Sequence, residues 1–149
     1  MFKLASILLF SVGVLAIEPG RYFIRDAILS YQAHVPENEA AVTIWRGSGD
    51  ALNQQWWLTK DTSSAGHFFF QNIGAAKYAH IGNTRNIVVG DEASRRSFYL
   101  QRNGSSYFIL QQAGATAGWT TTNSDPKVLL RQVDAPDTLS LWNLVDERL

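Results

Sequence analysis

The chain has no cysteine, a single methionine and no surplus of charge, with 13 lysines and arginines against 13 aspartates and glutamates in 149 residues. Each scarcity closes off a class of function. Without thiols there are no disulfides, no cysteine-ligated zinc and no thiol nucleophile. Without a basic excess there is no bulk attraction to nucleic acid or to an anionic membrane, which needs clustered positive charge. No apolar run reaches the length of about 20 residues that a membrane-spanning helix requires, so no membrane insertion is expected. The charged fraction is low at 17%, and 12% of the residues are aromatic. Such a composition folds instead of remaining disordered, and the length suits one domain with a sizeable core.

The first segment reads as an address. Lys3 precedes an apolar run from Leu4 to Leu15, and Val14-Leu15-Ala16 fits signal-peptidase cleavage after Ala16. The expectation is a signal peptide over residues 1–16, secretion to the extracellular space, and a single domain over 17–149. Glu18-Pro19-Gly20 then punctuates the chain before the strand-like Tyr22-Phe23-Ile24. Asn103-Gly104-Ser105 is the only Asn-x-Ser/Thr triplet. It also reads as a glycine turn between strands, a place where a glycan is tolerated.

After residue 16 there is no convincing amphipathic helix. Short β-branched and aromatic runs recur at roughly ten-residue spacing between Gly, Asn, Asp and Ser, the signature of an all-β domain. One pattern returns three times. It opens at Gly20-Arg21-Tyr22-Phe23-Ile24, at Gly66-His67-Phe68-Phe69-Phe70 and at Ser105-Ser106-Tyr107-Phe108-Ile109. Counting from Tyr22, Phe68 and Tyr107, a second strong run starts 20, 19 and 21 residues on, at Val42, Ile87 and Val128. Each copy closes on an aromatic-x-Leu triplet led by Trp56, Phe98 or Trp142, which lie 34, 30 and 35 residues after the opening aromatic. Asp-led loops precede the closings at Gly49-Asp50-Ala51, Gly90-Asp91-Glu92 and Val133-Asp134-Ala135. Weaker strands fill the gaps around Ile28 to Ala33, Tyr78 to Ile81 and Gly118 to Thr121. Three units are too few for a propeller. Three units of four strands, each closing on an aromatic, predict an all-β β-trefoil with three pseudo-repeats of four strands. Period-two alternation puts Trp56 and Leu58 on the buried face and Trp57 on the other, and by the same logic buries Phe98 with Leu100 and Trp142 with Leu144.

With these motifs the chain resembles the fungal ricin-B-like β-trefoil lectins, above all the small mushroom lectins that bind fucosylated chitobiose. The residues carrying the resemblance are Gly20 to Ile24, Gln54-Gln55-Trp56-Trp57-Leu58, Gly118-Trp119-Thr120-Thr121-Thr122-Asn123 and the terminal Trp142-Asn143-Leu144-Val145-Asp146. The resemblance spans nearly all of residues 20–147 and rests mainly on core positions, which specify fold better than ligand. At the level of repeats the chain also resembles the fungal β-trefoil protease inhibitors, which implies a protease as the alternative partner. The lectin resemblance implies a sugar site on unit two, over Tyr78-Ala79-His80-Ile81-Gly82, Val88-Val89-Gly90 and Arg95-Arg96-Ser97-Phe98. There the chain departs from the pattern: no tryptophan stands near His80, the closing aromatic is Phe98, and Arg95-Arg96 replaces an Asn-Tyr pair.

Catalysis has little to build on. His34, His67 and His80 show no His-x-x-x-His spacing, no Gly-x-Ser-x-Gly elbow occurs, and most acids fall in turn-like segments such as Asp91-Glu92 and Asp134-Ala135-Pro136-Asp137. No enzyme, metal or cofactor is expected. Glycans are the expected partner, because sugars offer apolar C–H faces and fixed hydroxyls to an exposed aromatic flanked by polar groups. Three patches offer that mixture: Tyr78, His80, Arg96, Ser97 and Phe98 in unit two; Trp119 with Thr121 and Asn123 in unit three; and Trp57 near Gln55. Packing inside the fold is the competing role for each of these aromatics. An inhibitor would instead present a loop, with candidates at Trp45-Arg46-Gly47-Ser48, Gly82-Asn83-Thr84-Arg85-Asn86 and Asn123-Ser124-Asp125-Pro126-Lys127. Arg95-Arg96 beside Glu92 reads as a solvated charge cluster, not a nucleic-acid patch.

Overall fold

Apolar and polar side chains alternate through most of the short runs, so each run has one face to bury. The computed structural model describes residues 17–46, 51–135 and 138–148. The expected signal peptide, Gly47-Ser48, Gly49-Asp50 and Pro136-Asp137 lie outside the described residues. Twelve strands form among the described residues: β1 Gly20–Asp26, β2 Gln32–His34, β3 Thr43–Trp45, β4 Gln55–Lys60, β5 His67–Asn72, β6 Lys77–Ile81, β7 Ile87–Gly90, β8 Ser97–Asn103, β9 Ser106–Leu110, β10 Ala117–Thr120, β11 Leu129–Gln132 and β12 Trp142–Asp146.

Six of them close a ring, all pairs antiparallel: β1 with β4, β4 with β5, β5 with β8, β8 with β9, β9 with β12, and β12 with β1. The other six form three hairpins, β2–β3, β6–β7 and β10–β11, that cap one end of the barrel. This is the β-trefoil. Closure removes the barrel's strand edges, which helps the fold stand without disulfides.

The repeat equivalences survive at the level of register. Each opening aromatic faces the closing aromatic of its own unit: Tyr22 opposite Trp56, Phe68 opposite Phe98, Tyr107 opposite Trp142. Alternation works as expected on β4, where Trp56 and Leu58 are fully buried while Trp57 is 42% exposed. Phe98 and Trp142 are also fully buried; Leu100 and Leu144 are only half-buried and pack against the edge of the core.

The core departs from threefold symmetry at its axis. The indole N–H of Trp56 donates to the Ala33 carbonyl at 2.9 Å, and that of Trp142 donates to the Trp119 carbonyl at 3.0 Å. Ala33, Ala79 and Trp119 are therefore equivalent positions on β2, β6 and β10, and one tryptophan occupies the space that two alanines leave. Its ring lies 5.2 Å from Phe70, 5.5 Å from Phe98, 6.0 Å from Trp56 and 6.4 Å from Trp142, mostly edge-to-face, the geometry that ring quadrupoles favour. Phe98 and Trp119, both expected as sugar-contacting residues, are thus corrected to core residues with no solvent exposure. A ligand cannot reach either ring.

At the end opposite the caps, the β4–β5 turn depends on Gly66. Its φ is +74°, and a Cβ there would stand 2.5 Å from the Tyr99 ring. Both the left-handed backbone and the close ring exclude a side chain. Gly66→Ala is expected to lower stability by about 1–2 kcal/mol, measured as a lower urea midpoint with an unchanged slope.

Candidate functional site

The outward faces of β4, β5 and β6 converge on one surface. Because paired residues on neighbouring strands point the same way, the register builds a continuous row: Arg21 beside Trp57, Trp57 beside Gln71, Gln71 beside Tyr78, and Tyr78 beside Gly90. Trp57 and Tyr78 are two strand spacings apart, about 10 Å, with Gln71 between them. The Gln71 amide and the Tyr78 hydroxyl have no hydrogen-bond partner among the described residues. The row therefore offers an exposed indole, a free carboxamide with donors and an acceptor, and a phenol.

Arg95 braces one side. Its guanidinium lies over the Phe69 ring at 4.1 Å and 5.8 Å from the Tyr78 ring, while its Nη1 contacts Glu92 at 3.3 Å. Phe69 stands on the outward face of β5 between buried Phe68 and Phe70. Arg95 follows a short 3-10 turn, Glu92–Ser94, that Asp91 caps by accepting the Ser94 N–H at 3.1 Å and its hydroxyl at 2.8 Å. These hydrogen bonds hold the Asp91 carboxyl below its ordinary value.

Tyr78 and His80 share the outward face of β6, separated by fully buried Ala79. The His80 ring fills the space left by Gly90, where a Cβ would lie 2.8 Å from its Nε2. Ser97 is already committed: its hydroxyl donates to Asp61 at 2.6 Å, and Asp61 also accepts from the Ser63 hydroxyl at 2.6 Å. Arg96 is exposed, and its backbone N–H donates to the Ala79 carbonyl at 3.3 Å. Asn123 is elsewhere, in a groove of about 360 Å³ with Tyr31, Ile44 and Asp125, where Arg46 lies over Tyr31 at 5.3 Å.

The structure thus brings Tyr78 and His80 together, joins them to Trp57, and leaves Asn123 apart. Gln71, Phe69 and the bracing role of Arg95 were missed. Strict alternation through His67–Asn72 was the available signal for Phe69 and Gln71, but the run of three phenylalanines reads as core. Trp45 is also exposed, at 47%; its ring lies 5.5 Å from His34, an imidazole whose pKa burial pushes down.

Among the described residues, the carboxyl groups that depart from their ordinary values, Asp61, Asp91 and Asp146, all move down under hydrogen bonds, the wrong direction for a general acid. Among the described residues no His, Cys, Asp and Glu cluster to hold a metal ion, and no helix is long and apolar enough to cross a membrane. Of the candidate inhibitor loops, 82–86 is a tight turn closed by Gly82 N–H to the Asn86 carbonyl at 2.8 Å and tied to β11 through Leu130 N–H to the Arg85 carbonyl at 2.7 Å.

No protein-family model and no curated protein sequence matches the chain. Solved structures do. The Rhizoctonia solani agglutinin superposes with a TM-score of 0.73 at 16% identity, over 89% of this chain and 99% of that one. The Macrolepiota procera ricin B-like lectin, in complex with lactose, gives 0.74 at 11% identity over 87% and 98%. The designed threefold-symmetric protein ThreeFoil gives 0.71 at 19% identity over 85% and 99%. At these identities the likeness is one of fold.

Proposed function

We propose that the protein binds carbohydrate without catalysis, on the outward face of β4, β5 and β6, and that it does so as a secreted protein after loss of residues 1–16. The observation that carries the proposal is the row of Trp57, Gln71 and Tyr78: an exposed indole in register with a carboxamide and a phenol hydroxyl that have no hydrogen-bond partner among the described residues. A pyranose stacks its C–H face on the indole and turns its hydroxyls toward Gln71 and Tyr78, with His80 at the margin. Rigid strands fix this geometry in advance, so little entropy is lost on binding. The lactose-bound Macrolepiota lectin supports the reading by sharing the fold, and the downward-shifted carboxylates support a non-catalytic role.

A glycan array that includes lactose and chitobiose-based and sialylated oligosaccharides tests this. The expected result is selective binding to a related group of sugars that Trp57→Ala weakens about thirtyfold. Absence of binding across the array overturns the proposal.

A further inference from the structure

The uncapped end of the barrel carries a second feature, independent of the outward row. Counting four residues on from each closing aromatic, β4, β8 and β12 reach Lys60, Arg102 and Asp146. Each keeps the inward parity of the core, and each faces an opening aromatic: Lys60 opposite Phe68, Arg102 opposite Tyr107, Asp146 opposite Tyr22. The barrel mouth therefore holds three charges above an apolar floor, and they are not equally satisfied. Asp146 is saturated by Arg148, which donates from its backbone N–H at 2.9 Å, Nε at 2.9 Å and Nη2 at 2.6 Å. These bonds pull its carboxyl down to about 2. Lys60 has no partner among the described residues, and Arg102 donates only its Nε, to the Gly104 carbonyl at 2.8 Å.

Between these two cations lies a cavity of about 500 Å³, floored by Phe68, Leu100, Tyr107 and Ile17. Its volume falls in the range that holds small ligands. The one acid in its wall, Asp61, has both oxygens engaged by Ser63 and Ser97. The wall is pre-formed: the Tyr99 ring covers Gly66 and lies 5.3 Å from the His67 ring. The Ala113 N–H donates to His67 Nε2 at 3.4 Å, while Nδ1 lies 3.0 Å from the Ala65 carbonyl. These two contacts hold the imidazole ring in place beside the cavity.

We infer that this mouth binds a small anionic amphiphile, such as a medium-chain carboxylate, with its apolar tail on Phe68 and Leu100 and its anionic group between Lys60 and Arg102. A cationic amphiphile is disfavoured by both free charges, and a neutral one leaves both unused. A cavity of about 500 Å³ has room for one such molecule.

Calorimetric titration of the protein with decanoate, and separately with decyltrimethylammonium, tests the inference. Saturable one-to-one decanoate binding is expected, at least tenfold tighter than the cationic probe. The exposed pair Lys60→Glu and Arg102→Glu should weaken decanoate at least tenfold. Ala65→Trp, which fills the cavity from an exposed turn, should abolish binding while thermal melting shows an intact fold. Trp57→Ala should leave decanoate binding unchanged, which separates this site from the glycan surface. Absence of saturable binding, equal affinity for both probes, or affinity unmoved by the charge-reversed and cavity-filled variants overturns the inference. Sedimentation with phosphatidylglycerol vesicles that depends on Lys60 and Arg102 also overturns it, in favour of a membrane-facing surface.

Discussion

Replacing Trp119 with alanine is expected to cost about 3–5 kcal/mol of stability, the range for deleting a large buried aromatic that its neighbours cannot collapse around. The environment sets the upper end. Trp119 has no solvent exposure and its ring touches Trp56, Phe70, Phe98 and Trp142. The equivalent positions in the other units are alanines 33 and 79, so neither unit has side-chain volume to move into the void. A domain's whole stability is about 5–15 kcal/mol, so the variant should be marginal. Urea unfolding followed by tryptophan fluorescence and far-UV circular dichroism measures the loss. A cost below about 1 kcal/mol, the scale of a surface change, would place Trp119 outside the core and reopen its role as a ligand contact.

Trp57→Ala is expected to do the opposite. Trp57 is next in sequence to fully buried Trp56 yet is 42% exposed on the outward face of β4. Its removal should change stability by less than about 1 kcal/mol. Glycan affinity, by contrast, should fall by about 2 kcal/mol, the cost of losing an aromatic anchor at the centre of a contact, or about thirtyfold in Kd. Titration of the glycan selected by the array, on both proteins at one temperature, measures the difference. The two tryptophan variants thus separate packing from recognition.

The architecture was legible because its rule is repeated. Opening and closing aromatics recur at nearly constant offsets, and register pairs each opening aromatic with the closing one of its own unit. The site was less legible because its members are brought together across strands. Trp57 and Tyr78 stand 21 positions apart and meet only through Gln71. The alternation that turns Gln71 outward is hidden by the three phenylalanines before it, which read as core. Trp119 was misread for a related reason. Alternation tells which side of a strand a residue takes, but not that two alanines elsewhere leave an axial space for one indole. Lys60 and Arg102 likewise look like ordinary charged strand ends until closure turns them over the same cavity.

Sugar binding at the Trp57, Gln71 and Tyr78 row would have a spectroscopic signature of its own. The most direct measurement follows the indole N–H resonances of the five tryptophans in an amide correlation spectrum, during titration with the glycan selected by the array. The Trp57 resonance is expected to shift saturably while those of Trp56, Trp119 and Trp142 hold, since all three are buried. A stationary Trp57 resonance at saturating sugar, with Trp45 or a buried tryptophan moving in its place, would contradict it.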